Sequence, residues 1–197
     1  MNQRLALFAL AAIAITSTAC DYVRAGEVGV KVYTMGGPKG DMELLPTGKY
    51  WIGYNEDLYI FPLYKQTVEW AAPKKDGEVD ESIQFQTKDN MIITADVGAT
   101  VQIEKDKVLD LFKQYRKGVG EIVDNVLRKE VKNAMVLAAS QMTVEEIASE
   151  GKVKFINTVK DAVRAKMAPL GVTVDDVFLL GALKLPPNIV AAIDSKV

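Results

Sequence analysis

The segment Ile83-Gln84-Phe85-Gln86-Thr87-Lys88-Asp89-Asn90-Met91-Ile92-Ile93-Thr94-Ala95-Asp96-Val97-Gly98-Ala99-Thr100-Val101-Gln102-Ile103 decides the fold class. Ile93, Ala95, Val97, Ala99, Val101 and Ile103 alternate with Thr94, Asp96, Gly98, Thr100 and Gln102. Successive strand side chains point to opposite faces, so the pattern predicts one long strand, Met91–Ile103, with a single buried face. Ile83–Thr87 precedes it across Lys88-Asp89-Asn90, a short polar turn, which predicts a hairpin. Asp89 and Asn90 are turn formers here rather than a catalytic or calcium-binding turn, because no cluster of acids converges around them in the sequence.

Beyond Ile103 the period changes. Val108, Leu111, Phe112 and Tyr115, then Val119, Ile122, Val123, Val126 and Leu127, recur at three- and four-residue spacing, which predicts amphipathic helices. Gly118 and Gly120 separate a short helix from a longer one ending near Ala139. Thr143-Val144-Glu145-Glu146 has the spacing of a capping box. The helix beyond it carries Phe155, Ile156, Val159, Val163 and Met167, and Pro169-Leu170-Gly171 ends it. Val172–Leu183 reads as a strand, and Pro186-Pro187 opens a last helix from Asn188 to Val197.

Outward in the other direction the chain reads as short strands. Val28–Tyr33, Lys49–Gly53, Leu58–Pro62 and Lys65–Trp70 are separated by the loop Met35–Gly40 and by turns at Pro46-Thr47-Gly48 and Asn55-Glu56-Asp57. Ala71–Asp80 has the composition of a linker or long loop. Strands first, then a hairpin, helices and a closing strand make an α+β chain, divided into two small subdomains near 71–80.

Composition narrows the chemistry. The 197 residues include no histidine, so the commonest metal ligand and general base are both missing. Cys20 is the sole cysteine, which excludes an intrachain disulfide and a thiolate metal cluster. Net charge is −2 with the basic residues scattered among acids, giving no basic stripe for nucleic acid. Gly36-Gly37-Pro38-Lys39-Gly40 lacks the spacing and following Ser/Thr of a phosphate loop. No catalytic residue, cofactor site or metal site is expected.

The N-terminus has the layout of an export signal. Arg4 flanks an apolar run, Leu5–Ile15, that is too short to cross a bilayer as a helix, and small residues lead to Cys20. Placed there, Cys20 resembles the lipidated residue of a bacterial lipoprotein, although Ser17 stands where that pattern prefers Leu. An uncleaved short anchor helix and a plain secreted product are the alternatives. With a lipid or helix anchor, the positive flank keeps the start in the cytoplasm and sends residues from Asp21 onward across the membrane. If Cys20 is lipidated, Asp21 resembles the signal that retains Gram-negative lipoproteins in the inner membrane.

Taken in order, several motifs resemble the SPFH (band-7, stomatin/prohibitin) family over roughly residues 22–197. Val23-Arg24-Ala25-Gly26-Glu27-Val28-Gly29-Val30 is similar to its opening strand, Leu45-Pro46-Thr47-Gly48-Lys49-Tyr50 to its "P-x-G-x-(aromatic)" turn, and Leu58–Pro62 to a strand ending in proline. Phe85-Gln86-Thr87-Lys88-Asp89-Asn90 resembles the hairpin signature. Ile122–Val131, carrying Arg128, and Thr143–Ile147 resemble the helix and cap that follow. Leu170–Val174, Leu185-Pro186 and Ala192–Lys196 match the closing strand and helix. The resemblance implies a signal or anchor at 1–20, a β-rich subdomain at 21–78, an α+β subdomain at 79–184 and the start of a C-terminal helix at 185–197. It implies no catalytic residues, and it implies membrane-bound homo-oligomers that fence a patch of membrane in rings or arcs, some of them regulating membrane proteases. The chain stops at Val197 without the long coiled coil usual in the family.

Three further residues are candidates for contact. Nearly half of the aromatics lie between Tyr50 and Trp70, and Trp51 and Tyr54 flank a turn, a placement suited to the lipid headgroup zone. The competing reading is that these rings fill the core of a small sheet. Arg128 could pair with an acid of a neighbouring subunit, or form a solvated charge along its own helix. Two functions are thereby expected, a self-associating membrane scaffold or a monomeric exported lipoprotein that adapts or inhibits another membrane protein.

Overall fold

The computed structural model describes residues 20–37, 39–73 and 79–185, and divides the chain into two compact units, 1–61 and 62–197. The architecture is α+β, as the alternation of periods predicts.

In the first unit, β1 (Cys20–Val23) pairs antiparallel with β4 (Gly48–Trp51). A three-stranded sheet has the order β3 (Met42–Leu45), β2 (Glu27–Tyr33), β5 (Glu56–Pro62). Its core consists of Val23, Val28, Val30, Val32, Leu45 and Phe61. Lys31 lies at the middle of β2. Its ammonium stands 4.9 Å above the Tyr33 ring, 3.0 Å from Glu43 on β3 and 3.8 Å from Glu56 on β5. The contact with Tyr33, followed by that with Glu43, raises the Lys31 pKa well above the ordinary lysine value.

In the second unit, a sheet has the order β10 (Val172–Leu179), β9 (Val97–Ile103), β6 (Gln66–Trp70), with all neighbours antiparallel. The hairpin β7 (Ile83–Gln86) and β8 (Ile92–Ala95) forms a separate pair. Among the described residues the α-helices are α1 (Val108–Tyr115), α2 (Val119–Ile122), α3 (Arg128–Ala139), α4 (Val144–Ala148) and α5 (Lys152–Met167). A π-type turn, Val123–Leu127, joins α2 to α3. Phe155, Val159, Val163 and Met167 form the buried stripe of α5, and Gly171 at φ 76° closes the chain behind it, a conformation open to glycine at little cost.

Two expectations about strands change. The run Met91–Ile103 is broken at Asp96, with β8 paired to β7 and β9 to β6 and β10. The Asp96 carboxylate accepts hydrogen bonds from Ala72 N (3.2 Å), Ser82 Oγ (2.8 Å) and Lys184 Nζ (2.9 Å), while its carbonyl accepts from Leu180 N. A residue so engaged leaves the ladder, yet the alternation continues across it, and Ile93 through Ile103 stay buried at every second position. Gly98 is buried on the opposite parity because the Phe178 ring lies over it, and a methyl group there would meet that ring at 2.5 Å. The strand expected over Val172–Leu183 ends at Leu179, after which Lys184 rejoins the structure by pairing with Thr94.

The expected division near 71–80 and the observed one at Phe61/Pro62 differ by one strand. β6 belongs with the second unit because its backbone pairs with β9 from Gln66↔Val101 to Trp70↔Val97. Within the expected linker, residues 71–73 and 79–80 have no regular structure. The predicted helix Asn188–Val197 and the signal segment through residue 19 lie outside the described residues.

Candidate functional site

The β1–β4 register aligns Cys20 with Trp51, Asp21 with Tyr50, Tyr22 with Lys49 and Val23 with Gly48. Opposed residues in an antiparallel pair share a face, and so do residues two apart along a strand. Cys20, Tyr22, Lys49 and Trp51 therefore form one face, and all four are exposed. The opposite face carries Asp21, buried Val23, Gly48 and Tyr50, whose hydroxyl donates to Pro46 O at 2.7 Å. Just past β1, the Arg24 guanidinium lies 5.4 Å from the centroid of Tyr22 and donates to its hydroxyl at 3.3 Å. The face thus combines a thiol, two amphipathic rings and two cations, with no carboxylate among its ladder residues.

Trp51 is 65 % exposed and Tyr54 is 89 % exposed, so neither expected contact residue belongs to the core. The turn carrying Tyr54 is held at its flanks, where Glu56 N donates to Gly53 O and Gly53 N to the Glu56 carboxylate. Phe61 and Trp70, from the same aromatic-rich stretch, are buried core residues. The core reading therefore holds for Phe61 and Trp70, whereas Trp51 and Tyr54 are exposed. Sequence reasoning missed Tyr22 and Lys49, which join the face only through pairing. The signal available was the two-residue spacing from Cys20 to Tyr22, but residues 20–23 do not announce a strand by themselves.

Arg128 belongs to a different place. Its Nη2 donates to Glu81 O at 2.8 Å and its Nη1 lies 3.9 Å from the Glu81 carboxylate, fastening the end of the segment before β7 onto α3. Among the described residues, no group of three or more His, Cys, Asp or Glu side chains is arranged to hold a metal, and no helix is long and apolar enough to cross a membrane.

The hairpin turn is tied to the cap of α4. Thr87 is buried, its hydroxyl hydrogen-bonds Asp89, and Asn90 takes a left-handed conformation at φ 62°. The Asp89 carboxylate accepts from Val144 N at 3.3 Å, and Lys88 N donates to Met142 O. The Thr87 hydrogen bond, outweighing burial, holds the Asp89 carboxyl below the usual carboxylate range. Beside it the capping box is complete, with Glu146 N donating to Thr143 Oγ1 and Thr143 N to the Glu146 carboxylate.

The SPFH domain / band 7 family profile matches residues 22–197. The chain belongs to the SPFH family. No curated protein matches it in a direct comparison. SPFH membership supports a membrane-associated scaffold in general, and the family is generally non-enzymatic. The two SPFH motifs Phe85–Asn90 and Thr143–Ile147 meet in space through the Asp89–Val144 and Lys88–Met142 hydrogen bonds.

Proposed function

We propose that this SPFH protein is a non-enzymatic membrane scaffold, anchored through a lipid on Cys20, with its folded units on the periplasmic or extracytoplasmic side. Trp51 and Tyr54 contact the membrane surface. Copies associate into rings or arcs that organise a membrane patch or regulate membrane proteins such as proteases, and the exposed part of the Arg128 guanidinium is available to a neighbouring subunit. The observation that carries the membrane half is the cross-strand pairing of Cys20 with Trp51 on one exposed face. A lipid chain attached at that thiol would enter the bilayer beside an indole, a side chain suited to the headgroup zone.

The test is gentle solubilisation with size measurement and negative-stain imaging, run beside Cys20→Ser. The expected result is large assemblies for the wild type, and export without membrane attachment for the variant. Membrane attachment of Cys20→Ser would assign the anchor to the apolar segment instead. Recovery of the wild type only as a monomer with one stoichiometric partner would replace the scaffold by an adaptor.

A further inference from the structure

We infer that the exposed β1–β4 face is a binding site for anionic phospholipid headgroups, with Lys49 and Arg24 as the cations and Tyr22 and Trp51 as the interfacial rings. The inference rests on the membrane-contact reading and adds to it the charge class of the lipid. Its first support is the composition of the face. Register and parity bring Cys20, Tyr22, Lys49 and Trp51 to one side, while the acid of the ribbon, Asp21, falls on the other. Lys49 is the charged ladder residue of that face, and Arg24 follows at the same parity just past β1, where its backbone N donates to the Glu27 carboxylate at 3.1 Å.

The second support is distance. Strand residues advance about 3.3 Å each, so the Tyr22–Lys49 pair lies roughly 7 Å along the ribbon from the Cys20–Trp51 pair, and Arg24 about another 7 Å on. With Cys20 held at the bilayer and the ribbon lying along it, Lys49 falls within a Debye length of the surface, about 8 Å at physiological salt. Arg24 lies over the Tyr22 ring, a contact that keeps its charge on the same side. Tyrosine, tryptophan and basic residues sharing one face is the chemistry of an interfacial anchor to negatively charged lipid. A cation near such a surface strengthens binding roughly fivefold.

The experiment uses the full lipidated chain reconstituted into vesicles of phosphatidylcholine alone or with phosphatidylglycerol, with brominated acyl chains as quencher. Trp51 and Trp70 are the two tryptophans, and Trp70 is buried, so lipid-dependent quenching reports Trp51. The expected result is several-fold stronger quenching with phosphatidylglycerol, suppressed by raised salt and by the double variant Lys49→Glu/Arg24→Gln. Trp51→Phe should abolish the response and verify its source. Equal quenching in both vesicle types would overturn the inference while leaving membrane contact standing. Quenching in neither would overturn both. Enhancement that survives the double variant would assign the lipid charge preference to other residues and overturn this site.

Discussion

Among the described residues are two antiparallel ribbons of four residues per strand, β1–β4 and β7–β8, and their outward faces are finished differently. The hairpin β7–β8 buries Ile83, Phe85, Ile93 and Ala95 on one face and presents Gln84, Gln86, Thr94 and Ile92 on the other. Its turn is fastened at Asp89 and its far end at Asp96. The β1–β4 ribbon buries Val23 on its inner face and presents two aromatic rings, a thiol and a lysine outward. An isolated two-stranded ribbon is marginal in water, so each needs help from elsewhere. The hairpin obtains it from the apolar groups beneath it, and its other face is largely dressed for water. The first ribbon has less beneath it, and its outer face leaves Tyr22 and Trp51 exposed.

The comparison predicts a large asymmetry in stability. Phe85 is buried and stacks on Phe155 with ring centroids 5.5 Å apart. Phe85→Ala is expected to cost about 3–5 kcal/mol in urea unfolding, against within about 0.5 kcal/mol for Trp51→Ala. Equal losses would erase the distinction between the ribbons.

A smaller effect tests the far-end fastening. Burial works to raise the Asp96 pKa, but the hydrogen bonds from Lys184, Ser82 and Ala72 outweigh it and hold the carboxyl below the ordinary value. Stability from this group is therefore complete above the unfolded-state pKa and lost as pH falls through the folded one. Asp96→Asn should cost about 1–3 kcal/mol at neutral pH and flatten the acid limb of stability, read from urea midpoints across a pH series.

Thr143→Ala should cost about 1 kcal/mol through loss of the cap. Because Val144 N also serves Asp89, amide exchange at Asn90 and Met91 should quicken in the same variant. Exchange unchanged there would separate the turn from the cap.

The smallest effect lies in the sheet of the first unit. Raised above its unfolded value by Tyr33 and Glu43, Lys31 contributes stability present below the ordinary lysine pKa and lost as pH rises through the folded one. Lys31→Met should level the alkaline limb, with a change of at most about 1 kcal/mol.

Local signals made most of the elements legible. The hairpin, the Thr143 box and the stripe ending at Gly171 are written in spacings of two to four residues, and they form where those spacings place them. The break at Asp96 is not legible, because parity is preserved across it and its partners lie on distant segments. The same reason hides β1, whose residues acquire strand structure by pairing with β4. At the candidate site, Cys20, Trp51 and Tyr54 are candidates by residue type alone, whereas Tyr22 and Lys49 become candidates only through the register. The role of Arg128 in fastening Glu81 also depended on a partner far away in sequence.

The Asp96 junction has a kinetic consequence. Its ligands stand 14, 24 and 88 residues away along the chain, and the most distant is Lys184. Closing so long a loop costs entropy before the contact repays it, so this bond is expected to form after the hairpin has zipped. A contact absent from the transition state governs escape from the native basin rather than entry into it. The side chain that interrupts the long strand would then set how long the folded molecule lasts, with little influence on how quickly it is made.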